Sequence, residues 1–178
     1  MLTEHIRDAA MTAVIFGFFS TAWFGWAQER PPAGWRRYLL GGTALGVVTL
    51  AGGLAVALPN WSGGTAFDAD TGRAFGIVVG IECTAAGLGA GVLAGLRRAP
   101  WIPVWIAFVV GVHFFPLAVL LGYPLLHVTA VLVTLVSVVA VPVARARGLT
   151  PSAAVGAGTG ASLLACALVS LAAALTAY

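Results

Sequence analysis

Six apolar runs fill most of the chain, at 9–28, 38–58, 74–96, 101–122, 124–143 and 151–177. Each is close to the length of about 20 residues that an α-helix needs to cross the hydrocarbon core of a bilayer. Between them lie short polar segments rich in Arg, Gly and Pro, and only the connection at 59–73 is long. The pattern predicts an all-α integral membrane protein, a bundle of six transmembrane helices forming one polytopic domain over 1–178, with no separate soluble domain. Composition agrees. The chain is 60% hydrophobic and 8% charged, and its mean hydropathy is +0.99. A soluble domain carries about a quarter charged residues, so this chain cannot cover a surface that faces water all round.

Charge sets an expected orientation. The nine basic residues are all arginine. Arg30, Arg36 and Arg37 follow the first run, Arg97 and Arg98 the third, and Arg145 and Arg147 the fifth; only Arg7 and Arg73 fall on the other side. Basic loops stay cytoplasmic, which places both termini outside and the short arginine-bearing loops inside. The net charge of +3 then reflects topology, and no nucleic-acid motif accompanies it. Glu4, His5, Arg7 and Asp8 leave the amino-terminal flank without the net positive charge a cleavable signal requires, so the first helix is expected to remain. Arginine without lysine, with abundant Ala, Gly and Val, suggests a bacterial inner-membrane protein from a GC-rich genome.

Ionisable residues inside the spans are few, and such residues carry function by default. Glu82 stands in the third run and His113 in the fourth. Glu82 lies eight residues below Ala74, about 12 Å at ~1.5 Å per residue. His113 lies nine residues below Gly122, about 13–14 Å by the same rise. Antiparallel neighbours would bring them to one level in the outer half of the membrane, as an acid and a base that share a proton. The plainer reading is a hydrogen bond that locks helix 3 to helix 4. Phe16, Ser20 and Trp23 share a face of helix 1. With Trp105, Phe108 and Phe114 of helix 4 they are expected to wall a substrate pocket, with Tyr123, His127 and Asn60 at its mouth.

Glycines 76, 80, 87, 91 and 95 recur on helix 3, within roughly 120–220° of Glu82 at ~100° per residue. Small residues let helices approach closely, so helix 3 is expected to be central, packed on its glycine side and shielded on its Glu82 side. The glycine stripes of helices 3 and 6 also offer a surface for homo-oligomers. Gly156, Gly158 and Gly160 lack the strand and acidic residue of a dinucleotide site and read as packing. Aromatic helices 1 and 4 and small-residue helices 3 and 6 form a faint three-helix repeat of the inverted kind seen in transporters.

Several chemistries drop out. Without lysine there is no Schiff base, and no phosphate loop, zinc motif or nucleophile elbow is present. Cys83 and Cys166 give no disulfide or metal spacing. No metal or cofactor is expected: His127 lies too shallow to complete a site with Glu82 and His113. Asp68 and Asp70 fall short of a calcium loop and suggest a helix cap, from Asp70 or Thr71. The functional expectation is acid–base chemistry on a small lipophilic, isoprenoid-like molecule, an isomerisation or cyclisation with Glu82 as proton donor and His113 orienting or accepting. The alternatives are a proton-coupled small-molecule transporter that uses the same pair as a switch, and a non-catalytic assembly subunit.

Overall fold

The computed structural model describes residues 5–176. Its helices are α1 (Ile6–Ala27), α2 (Arg36–Ala57), α3 (Ala69–Gly95), α4 (Ile102–Leu120), α5 (Pro124–Arg147) and α6 (Pro151–Thr176), with a 3-10 turn at Ala99–Trp101 before α4. Six helical segments are long and apolar enough to cross a membrane. Glu4 and residue 177, where the sixth run was expected to end, lie outside the described residues. The main boundary differences have local causes. Helix α3 starts at Ala69 instead of 74 because Asp68 caps it: the carboxylate accepts the Thr71 N–H at 2.7 Å. Neither Asp70 nor Thr71 is the cap. Helix α5 runs through Pro142 and stops only where Gly148 takes the left-handed conformation, φ 61°, which glycine adopts without a steric penalty.

The main helix neighbours follow the order α2, α1, α6, α5, α4, α3. The α1–α6 pair is the heart of the bundle, with α2 across both and α5 joining α6 to α4. Close approach depends on glycine at these crossings. A methyl group at Gly17 would fall 2.9 Å from the Gly46 carbonyl, and one at Gly156 would fall 2.8 Å from the Trp23 carbonyl. Gly160 meets the Phe24 ring and Gly158 meets Val136. The glycines of helix 6 therefore serve close packing inside the chain.

Helix 3 was expected at the centre and stands at the edge. It packs on α4 and the 3-10 turn alone, and none of its residues is buried. Its orientation is also reversed. A side chain added at Gly76, Gly80, Gly87, Gly91 or Gly95 would meet open space, while Phe75, Val78, Val79, Glu82, Ala85, Ala86 and Gly89 form the half-covered face toward the bundle. The reason is steric. Ala85, Ala86 and Gly89 make their own groove on the Glu82 side, and a bulky α4 side chain fills it. The three-helix repeat is not expressed in packing either: α6 touches α1, α2, α4 and α5, whereas α3 touches one helix.

Candidate functional site

The site is built where α3 leans on α4. Trp105, one turn into α4, reaches across and donates its indole N–H to the Ala85 carbonyl at 3.1 Å. Its ring occupies the space a side chain at residue 89 would need. This places the two helices at a distance set by glycine on one side and tryptophan on the other. Two turns further along α4, His113 meets Glu82, with Nε2 3.4 Å from Oε2. Their side chains retain 11% and 16% exposure respectively, so the pair sits just under the surface of the bundle. It is the only ion-pair contact among the described residues.

The other histidine nitrogen determines the chemistry. Nδ1 lies 2.5 Å from the Val110 carbonyl. A carbonyl only accepts, so Nδ1 carries a hydrogen and donates it. The nitrogen free to exchange a proton is then Nε2, the one that faces Glu82. The second ring nitrogen thus orients the first, as in catalytic histidines generally. The Phe114 ring lies 4.2 Å from the imidazole, centroid to centroid, and meets Phe16 of α1 edge-on at 5.3 Å. This aromatic chain ties the pair to the core. Pro116, three residues on, leaves the Val112 carbonyl without its helical donor.

The remaining expected site residues divide. Phe16, Trp105 and Phe114 surround the pair or its immediate neighbours. Phe108 follows Trp105 on the same helix, rings 6.3 Å apart, and is 39% exposed. Trp23 is buried and stacks on Trp26 at 5.3 Å. Ser20 faces away. It is fully buried, donates to the Gly17 carbonyl at 2.8 Å and lies under Gly46 of α2. Tyr123 does not line a mouth: its hydroxyl meets Ser170 of α6 at 2.5 Å and the residue is buried. His127 is exposed on the first turn of α5. Asn60, in the turn after α2, folds back on that helix and donates to the Val56 carbonyl at 2.8 Å. Among the described residues no three His, Cys, Asp or Glu side chains stand close enough to hold a metal ion.

Space is the main departure. The small residues beside Glu82 leave a gap in sequence terms, and Trp105 fills it. Two open clefts, of about 350 Å³ and 260 Å³, lie elsewhere, and neither is lined by Glu82 or His113.

Sequence reasoning also missed a clasp between α1 and the loop before α3. The Asp8 carboxylate accepts from the Thr65 hydroxyl and the Ala66 N–H, both at 2.7 Å. Arg7 donates to the Trp61 carbonyl at 2.7 Å and lies over that indole. The first turn of α1 therefore holds the long loop before α3. No local signal marks such a contact, because its partners are more than fifty residues apart. Asp68, outside the spans, is held below the ordinary aspartate range by the Thr71 N–H it caps.

Compared with known proteins, the chain matches no family model, no curated protein and no solved structure.

Proposed function

We propose that this chain is an intramembrane acid–base protein that acts on a small lipophilic molecule at Glu82 and His113. One observation carries the reading: a carboxyl group and an oriented imidazole, both within spans, meet at 3.4 Å. Placing charge in a bilayer costs a few kcal/mol or more, and a helix lock alone could be made from neutral side chains. The substrate enters sideways from the lipid, past the half-exposed Phe108 and along the single seam that holds α3. The chemistry suited to the pair is migration of a double bond, or a cyclisation that begins the same way. Glu82 gives a proton to one alkene carbon; the π pair forms the new C–H bond and leaves a cation beside it. Trp105, Phe108 and Phe114 present the faces that stabilise a cation. Nε2 of His113 then takes a proton from the adjacent carbon, which restores the double bond one place along. The Glu82–His113 contact returns that proton, so the pair ends as it began.

The arginine distribution supports an orientation with both termini outside and the Arg30–Arg37, Arg97–Arg98 and Arg145–Arg147 segments inside a bacterial inner membrane. A reporter active only outside the cytoplasm, fused after residue 178, is expected to be active. Activity only for a cytoplasmic reporter overturns the orientation.

A proton-coupled transporter is the second reading. It has its own support: the pair joins the bundle to α3, the helix with the fewest ties. One experiment separates the two. Lipids are compared by mass spectrometry in host cells that make the wild-type chain, Glu82→Gln or His113→Phe. Enzyme chemistry predicts a product present only with wild type. A molecule that copurifies unchanged with wild type, with no new product, supports transport. Identical profiles from all three remove both readings and leave the pair as a helix lock.

A further inference from the structure

The larger cleft shares no residue with the Glu82–His113 site and reaches the arginine-bearing end of α5. Its long wall is one face of α5, running through Leu132, Val136, Val139 and Val143 to Arg147. Its floor is Ala154 and Gly158 of α6, and Trp35 closes the end next to the arginine. From Leu132 to Val143 the wall is entirely apolar and spans eleven residue steps. That is about 16 Å at ~1.5 Å per residue, close to one leaflet of a hydrocarbon core ~30 Å thick. One helical turn further on stands Arg147. A cleft one leaflet deep, with a cation and a tryptophan at its interfacial end, has the shape and polarity of a single lipid.

The charge at that end is not neutralised by the protein. Seven arginines lie at the helix ends and in the connecting segments on this side, against Glu29 alone among acidic residues. Among the described residues no acidic group is within ion-pairing distance of any of them. Arg145 is taken up over the Trp101 ring at 5.3 Å, which leaves Arg147 as the cation of the cleft. We propose that this cleft holds an acyl chain of an anionic phospholipid whose phosphate pairs with Arg147. A basic site between helices at the membrane surface is the recognised setting for such headgroups. Gly158 lets α5 close on α6 at the floor: Val136 already lies 2.6 Å from where its side chain would begin. The site is independent of the acid–base pair and requires only that the chain sit in a bilayer.

An arginine in the last turn of a helix also complements the helix dipole. That role would act equally in every lipid, so the test reads lipid preference. The purified full chain in detergent is titrated with phosphatidylglycerol and, separately, with phosphatidylcholine of the same acyl chains, and the first bound lipid is counted by native mass spectrometry. The expected result is about a five-fold preference for phosphatidylglycerol, the worth of one basic residue at a membrane surface. Arg147→Gln removes that preference and Arg98→Gln retains it. Val139→Trp, a change at a position 50% exposed, fills the cleft and weakens both lipids. Inorganic phosphate does not compete. Equal binding of the two lipids in the wild type overturns the proposal. So does equal loss of preference in Arg147→Gln and Arg98→Gln, unchanged binding in Val139→Trp, or displacement by inorganic phosphate.

Discussion

Gly89 and Trp105 decide how the site is assembled. The indole lies where a side chain at residue 89 would begin and donates to Ala85 at 3.1 Å, so one glycine sets the separation at which Glu82 and His113 can meet. Gly91, two residues away, has open space around it. The two positions should therefore respond in opposite ways. Gly89→Val forces the helices apart and is expected to destabilise the protein by about 1–3 kcal/mol, as overpacking does. Gly91→Ala is expected to be neutral or to stabilise by up to about 1 kcal/mol, through the lower helix propensity of glycine. Thermal unfolding of the purified protein in detergent distinguishes them; equal destabilisation by both would mean that α3 is buried on its glycine face. Sequence reading set Gly89 apart from the regular glycine stripe, on the Glu82 side, and took it as room beside the carboxylate; the Trp105 ring takes that room. Its importance depends on Trp105, which only the rotation of α4 brings opposite.

At the scale of the helix, α3 shows what periodicity can and cannot reveal. The six spans follow from length and apolarity. The shared level of Glu82 and His113 follows from helical rise. Rotation about the helix axis does not follow. Helix α3 carries small residues on both faces, the glycine stripe on one and Ala85, Ala86 and Gly89 on the other, and either could receive a neighbour. The chain uses the second. The first is left bare, flanked by Ile77, Ile81, Leu88 and Val92, each more than half exposed. Stripes of glycine beside aliphatic residues are the surfaces on which membrane helices associate, and a second copy of this chain is the simplest partner for it. Cys83 is exposed on α3 and Cys166 is buried, so oxidative cross-linking in membranes tests the pairing without added labels. A Cys83-dependent dimer that disappears in Gly80→Leu is expected. Its absence in the wild type, or its persistence in Gly80→Leu, would show that this face meets lipid only.

The whole molecule divides into an inner block and an appended seam. Helices α1, α2, α5 and α6, with the inner face of α4, carry every buried residue of the helices. Helix α3 adds none and contributes the carboxyl group. Sequence reasoning identified the pair, because charged residues within apolar runs stand out. It did not anticipate that the chain's own tryptophan would fill the space beside it, that Ser20, Tyr123 and His127 would belong to other parts of the bundle, or that the open clefts would lie elsewhere. Each of those outcomes depends on which faces meet across distant helices. An arrangement closed by one helix seam, with an acid and an oriented base behind it, suits a substrate that arrives from the lipid and leaves the same way.

The most direct measurement is deuterium transfer. The purified protein is placed in bilayers of native-host lipid extract in D2O buffer, and the lipids are followed by mass spectrometry. Protonation of carbon by an exchangeable carboxyl group predicts that one lipid class gains deuterium with the wild-type chain and none with Glu82→Gln. Deuterium gain no greater than in protein-free bilayers, or equal gain with Glu82→Gln, would contradict acid–base catalysis at this pair.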